Sequence, residues 1–204
     1  MRLRSIAVGA VTAGLAVGLL AEPAQAETRT FHDQHGDVRH KADIHRVKVT
    51  YNKRGVHVRI KLRDIKKQSA SAARYRGSAA VFFDVRPGRR GPEFKLVGPI
   101  APAKSGYDWS LLRTKSNWRT RQREALCKSS IRTNMRRNVV NVRIAKPCLR
   151  NPDMLNLKTG NIIRNKRLKA PKRIRVAVST GTKRGAVRDW APRVKRFYPA
   201  VQRG

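Results

Sequence analysis

Acid is what this chain of 204 residues has least of: 12 Asp and Glu stand against 48 Lys and Arg, a formal net charge of +36. That excludes an acidic or neutral surface and gives any phosphate polymer a long-range attraction to the molecule. Aromatic residues make up only 6%. No Lys/Arg-Gly-Phe/Tyr run and no zinc-finger spacing interleaves them with the cations, so the pattern of a base-stacking RNA reader is missing. Cysteine occurs twice, without Cys-x-x-Cys or His-x-x-x-His around either residue, which leaves zinc without a ligand set. No apolar run beyond Ala21 is long enough to span a bilayer, and no 3.6-residue stripe of any length appears. Multi-span membrane and helical-bundle architectures are thereby set aside, while 40% hydrophobic and 29% charged residues fit a globular domain.

What is present begins with a targeting pattern. Met1-Arg2-Leu3-Arg4 places positive charge ahead of a Gly/Ala/Val/Leu-rich run from Ile6 to Ala21, followed by Pro23 and Ala24-Gln25-Ala26. This is the layout of a secretory signal peptide over residues 1–26, with removal expected before Glu27 and a single secreted domain over 27–204. Both cysteines, Cys127 and Cys148, fall in that domain. An oxidising compartment outside the cytoplasm then favours one disulfide between them, a stabilisation of about 3 kcal/mol in the chain-entropy treatment.

Within the domain the apolar residues recur at every second position. Val47, Val49 and Tyr51, then Val56, Val58, Ile60 and Leu62 after Asn52-Lys53-Arg54-Gly55, read as a β-hairpin. Ala79 to Val85 reads as a buried strand, and Glu93 to Val97 as its return after a turn bracketed by Pro87-Gly88 and Gly91-Pro92. Gln68 to Gly77 reads as a connection. Tyr107 to Leu112 is a weaker strand, Trp118 to Arg123 is ambiguous, and Ser129 to Met135 is extended. Val140, Val142 and Ile144, and later Ile174, Val176 and Val178, repeat the two-residue period. About six to eight short strands result, and the fold class is all-β, a single antiparallel β-sandwich with one disulfide. Phe197 and Tyr198 give the tail after Asp189-Trp190-Ala191-Pro192 a means of docking on the body.

The residues between the apolar ones carry the charge. Arg46 and Lys48 on the first arm of the hairpin, and His57, Arg59, Lys61 and Arg63 on the second, are sent by alternation to one face. Like charges across an antiparallel pair are destabilising, so such a face costs stability unless anions or solvent screen it. Further basic clusters lie at 119–123, 136–137, 164–167 and 169–175. A GC-rich genome accounts for the abundance of arginine but not for the scarcity of acids. The face reads as a polyanion-binding surface of Arg46, Lys48, Arg59, Lys61 and Arg63, its partner a wall polymer, extracellular DNA or an anionic lipid surface. The bland alternative is a solvated basic surface with no dedicated ligand.

Three of the few acids and four of the five histidines fall between Thr28 and His45. Asp33, Asp37 and Asp43 around Gly36 are candidate calcium ligands, although Asp and Gly equally build turns leading into a strand. His32, His35 and His40 offer a transition-metal alternative. Catalysis finds no support: Ser110 and Ser129 lack a nucleophile-elbow context, and no His-Glu-x-x-His or Gly-rich phosphate loop occurs. The only group that could be cast as a phosphodiesterase site is His32, His35 and Asp37 near Arg59. The chain is therefore read as non-enzymatic and without a cofactor, calcium excepted.

Asp33-x-x-Gly36-Asp37, Asp43-Ile44, the Val-alternating hairpin, Phe82-Phe83-Asp84, Gly91-Pro92-Glu93-Phe94, the two cysteines and Asp189-Trp190-Ala191-Pro192 together resemble a group of small secreted actinomycete proteins of unassigned function. The likeness covers nearly the whole chain after the signal segment. In that group a second acid follows two positions after the one matched by Asp84; Arg86 stands there in this chain, which weakens any cation site at that turn. The Asp-Gly-Asp opening and first hairpin, about a third of the domain, are also similar to DOMON and family 9-like carbohydrate-binding sandwiches, some of which hold calcium or sugar. That likeness implies a carbohydrate- or calcium-binding module as the rival to a polyanion binder, with a structural envelope protein as the third option.

Overall fold

The computed structural model describes residues 26–33, 43–65, 77–86, 88–100, 109–182 and 188–204. Residues 1–25 of the expected signal segment lie outside these, as do most of the connection at 68–77 and Pro87. The chain first lays down β1 (Glu27–His32), β2 (Ile44–Asn52) and β3 (Gly55–Leu62) in one sheet. It crosses to a second sheet for β4 (Gly77–Asp84), β5 (Phe94–Pro99), β6 (Ser110–Thr114) and β7 (Thr120–Ala125). It then returns to the first for β8 (Ser129–Asn134) and β9 (Val139–Ala145). After a 3-10 turn at Lys146–Leu149, β10 (Met154–Asn156), β11 (Ile162–Ile163), β12 (Arg173–Thr182), β13 (Arg188–Ala191) and β14 (Val201–Gln202) complete the second sheet.

The result is two antiparallel sheets. The smaller has the order β1-β2-β3-β9-β8, and the larger β11-β10-β7-β6-β5-β4-β12-β13, with β14 also paired to β12. The alternating residues fill the space between them: Val47, Val49, Tyr51, Val58, Ile60, Val140 and Val142 from one sheet meet Val81, Phe83, Phe94, Leu96, Ile174, Val176 and Val178 from the other, all buried in one core. Each such side chain contributes about 1.5–3 kcal/mol on burial. The all-β sandwich with one disulfide read from the sequence is the fold.

Local chemistry sets the hairpin of β2 and β3. The Asn52 carboxamide oxygen accepts from the backbone N–H groups of Arg54 (2.8 Å) and Gly55 (3.2 Å), a side chain standing in for part of the turn. Gly55 has φ 141°, and a Cβ there would sit 2.1 Å from the Ile144 carbonyl oxygen of β9. Only glycine lets the third strand approach so closely. The Cys127–Cys148 disulfide, with Cα atoms 5.5 Å apart, joins the start of the β8–β9 hairpin to its end. It thereby ties two of the three crossings between the sheets, β7 to β8 and β9 to β10, to the same point.

The fourteen strands among the described residues exceed the expected six to eight. Trp118 to Arg123, ambiguous in the sequence, resolves into a turn followed by β7, and the weak strand at 107–112, whose first two residues lie outside the described ones, overlaps β6 at Ser110–Thr114. The tail docks as its aromatics suggested: Tyr198 is buried and stacks on Phe31 with ring centroids 4.2 Å apart. Among the described residues no helix is long and apolar enough to cross a membrane; this and the disulfide are compatible with an extracellular location.

Candidate polyanion-binding face

Register decides which cations meet. In β2 and β3, Arg46 stands opposite Lys61 and Lys48 opposite Arg59, while Thr50 faces His57. β3 continues the rows onto β9, pairing His57 with Arg143, Arg59 with Asn141 and Lys61 with Val139. β1 adds His32 beside Arg46 and Thr30 beside Lys48, and β8 adds Arg132 beside Asn141. The outer face of the smaller sheet thus carries a middle row Thr30, Lys48, Arg59, Asn141, Arg132, with Arg46 and Lys61 on one side of it and His57 and Arg143 on the other. Thr30, Arg46, Lys48, Arg59, Lys61 and Val139 line an open depression of about 260 Å³.

A β-bulge at His45 sets this arrangement. The register shifts between Ile44 and Arg46, so Ile44 and Val47 are both buried while Arg46 is turned to solvent. The Lys61 ammonium is steadied by donating to the Arg137 carbonyl (2.6 Å) in the β8–β9 turn. Among the described residues no carboxylate pairs with Arg46, Lys48, Arg59 or Lys61. Arg63 falls one residue past β3, exposed, its backbone held by Asp43 and by the Asn138 carboxamide. It extends the run of cations but does not line the depression.

His57 reports the field of this face. Burial, then the Arg143 charge, holds its imidazole below the ordinary 6.5, against an opposing hydrogen bond with Asn141, and Arg59 and Lys48 push the same way as Arg143. Its Nε2 is buried without a hydrogen-bond partner among the described residues. Sequence reasoning missed Arg132 and Arg143. Alternation around Val140, Val142 and Ile144 already points Arg143 outward, but no local signal says that β9 is the strand beside β3.

Of the acid-rich segment, the described residues are Glu27 to Asp33 and Asp43 to His45. Asp37, His35 and His40 lie outside the described residues. Asp43 is fully buried, with Oδ2 3.5 Å from His45 Nε2. Asp33 caps the end of β1, where its N–H donates to the His45 carbonyl (3.2 Å). The neighbouring Asp189, also buried, accepts from the Ile44 N–H at 2.6 Å and so fastens β13 of one sheet to β2 of the other. Asp84 is buried against the Arg175 guanidinium, whose Nε donates at 2.6 Å. Among the described residues no three His, Cys, Asp or Glu side chains converge as a metal would require.

The tryptophans, spaced in sequence like isolated residues, are not isolated. Trp118 and Trp190 gather with Phe82 and Phe197 on the outer side of the larger sheet, Trp118 stacked on Phe197 at 4.6 Å and Trp190 on Phe82 at 5.2 Å. Trp109 packs over Gly98, where a Cβ would lie 2.4 Å from the ring. Offset and tilted contacts of this kind hold the four rings together as a second, smaller apolar cluster. Comparison with protein-family models, curated proteins and solved structures finds no match to this chain, and the reading of the face rests on its own geometry.

Proposed function

We propose that this is a secreted, non-enzymatic protein that binds an anionic polymer, at or outside the cell envelope, through the outer face of its smaller sheet. One observation carries the reading: Arg46/Lys61 and Lys48/Arg59 are directly opposed like-charge pairs, side by side, with no carboxylate among the described residues to offset them. Cross-strand pairs of like charge lower stability, and a row of phosphates laid along the strands removes that cost while releasing the polymer's counterions. Arg132 and Arg143 widen the charged strip across neighbouring strands, which suits an extended ligand better than a point anion.

The test is binding of the oxidised protein without its signal segment to duplex DNA, a wall teichoic acid and a neutral glucan across a salt series. The expected result is binding to the anionic polymers alone, with log affinity falling linearly in log salt. Replacing Arg46, Lys48, Arg59 and Lys61 by Gln should flatten the slope for DNA by about 3.6, at roughly 0.9 per phosphate contact. An unchanged slope, or preference for the glucan, would overturn the proposal.

A further inference from the structure

The larger sheet holds a second concentration of cations that shares no residue with the first. Arg113 on β6 stands opposite Phe94, and Arg121 and Arg123 on β7 lie on the same side as buried Ala125. These arginines therefore share the core-facing side of the sheet. Between the pairs Leu112/Glu124 and Thr114/Thr120, β7 has three residues where β6 has one. Such a bulge re-aims side chains, and here it carries both Arg121 and Arg123. Arg89 and Arg90, from the turn between β4 and β5, close the other wall of a cleft of about 480 Å³.

The walls are fixed before any ligand arrives. Gly91 has φ 75°, and a Cβ there would be 2.3 Å from the Ser116 carbonyl oxygen, so the two turns that frame the cleft touch backbone to backbone. The Thr114 hydroxyl donates to the Pro92 carbonyl, and the Thr114 N–H to the Glu93 carbonyl at 3.0 Å. The Arg113 guanidinium lies 4.9 Å from the Phe94 ring centre, with Nη1 3.5 Å from the Asn151 Oδ1. Among the described residues the one carboxylate in the lining, Glu93, is buried and accepts from the Val85 N–H (2.9 Å). Burial, chiefly, raises Glu93 above the ordinary carboxylate value, opposed by that hydrogen bond and by the Arg113 charge, while Arg113 is lowered by burial and then by Arg86, with Glu93 opposing and Arg121 and Arg89 adding. Five guanidiniums thus converge on a preorganised hollow around a single, backbone-engaged acid.

We propose that this cleft binds a compact anion carrying two or more phosphate groups. Guanidinium forks match phosphate oxygens two at a time, and among the described residues no aromatic side chain lines the cleft to stack a base or a sugar ring. Its volume exceeds what one phosphate fills and falls within the range of small-ligand sites. The inference does not depend on the polymer-binding face.

The experiment is calorimetric titration of the oxidised protein with sodium tripolyphosphate at about 0.15 M ionic strength, where surface charges more than about 8 Å apart are screened. Arg89→Gln and Arg121→Gln are the test variants, because both side chains are exposed and their loss leaves the core intact. The expected result is one site per chain, weakened about tenfold by either substitution, as for a lost charge-assisted pair. The double variant Lys48→Gln/Arg59→Gln should bind tripolyphosphate as the wild type does, even if it no longer binds polymer. Unchanged affinity in the cleft variants, equal loss in the Lys48/Arg59 variant, or citrate binding as tightly as tripolyphosphate would each overturn the assignment.

Discussion

If the basic face is held against its own repulsion, reversing one charge at its centre should strengthen the fold and weaken the function together. Arg59 is the residue to change: it is exposed, mid-strand, opposite Lys48 on one side and uncharged Asn141 on the other. Two unit charges about 6 Å apart in a water-like dielectric interact by about 0.7 kcal/mol. Arg59→Glu turns that repulsion into attraction, a change of about 1.4 kcal/mol, from which the poorer strand propensity of Glu removes a few tenths. A net gain of about 1 kcal/mol is expected at low ionic strength, in line with measured cross-strand pairs. With a urea m-value of about 2 kcal/mol/M, the unfolding midpoint should rise by about 0.5 M, and most of the gain should vanish in about 0.5 M salt. The same variant should lose affinity for duplex DNA. A variant less stable than wild type at low salt, or a gain indifferent to salt, would refute the idea that this face carries uncompensated repulsion.

Because His57 is held below 6.5 in the folded protein, the unfolded chain takes up a proton first as pH falls, so stability should decline as pH drops through about 6.5. His57→Gln should lessen that decline in urea midpoints between pH 7.5 and 5, and polymer binding should raise the His57 pKa and draw in a proton, read by NMR titration of its ring. Asp189→Ala leaves the Ile44 N–H buried without its acceptor and should cost about 1–3 kcal/mol in urea unfolding, with Asp189→Asn costing less because an acceptor oxygen remains. Replacing Cys127 and Cys148 together by Ser should cost about 3 kcal/mol, measured by the same method; an unchanged midpoint would mean the crossings between the sheets are held without the disulfide.

Strands with alternating apolar residues were legible because one side of each faces the core: β2, β3, β9 and β12 announce themselves through Val and Ile at every second position. β1 carries Glu27, Thr28, Arg29 and Thr30 at the edge of its sheet, where a strand needs no apolar face and leaves no period to read. β11 and β14 have two residues each, too few for any periodicity. The face itself was half legible. Alternation fixes which side Arg46, Lys48, Arg59 and Lys61 take, and the short Asn-Lys-Arg-Gly turn fixes their partners across the hairpin. Arg132 and Arg143 arrive from about eighty residues later in the chain, through a strand order that local pattern does not encode. The arginine cleft was illegible for the same reason, with a further one: the β7 bulge that brings Arg121 and Arg123 into it is a matter of register against β6, which only the assembled sheet defines. Asp189 is a buried clamp between sheets that no local pattern announces, because its partner is the backbone N–H of Ile44, far back in the sequence.

The most direct test of the central claim is a map of backbone amide shifts as the isotopically labelled, oxidised protein is titrated with a poly(glycerol phosphate) chain. The account predicts that the shifts concentrate on the strands bearing Arg46, Lys48, Arg59, Lys61 and Arg143, and that salt reverses them. Shifts scattered over every arginine-bearing surface, or confined to the larger sheet, would contradict it.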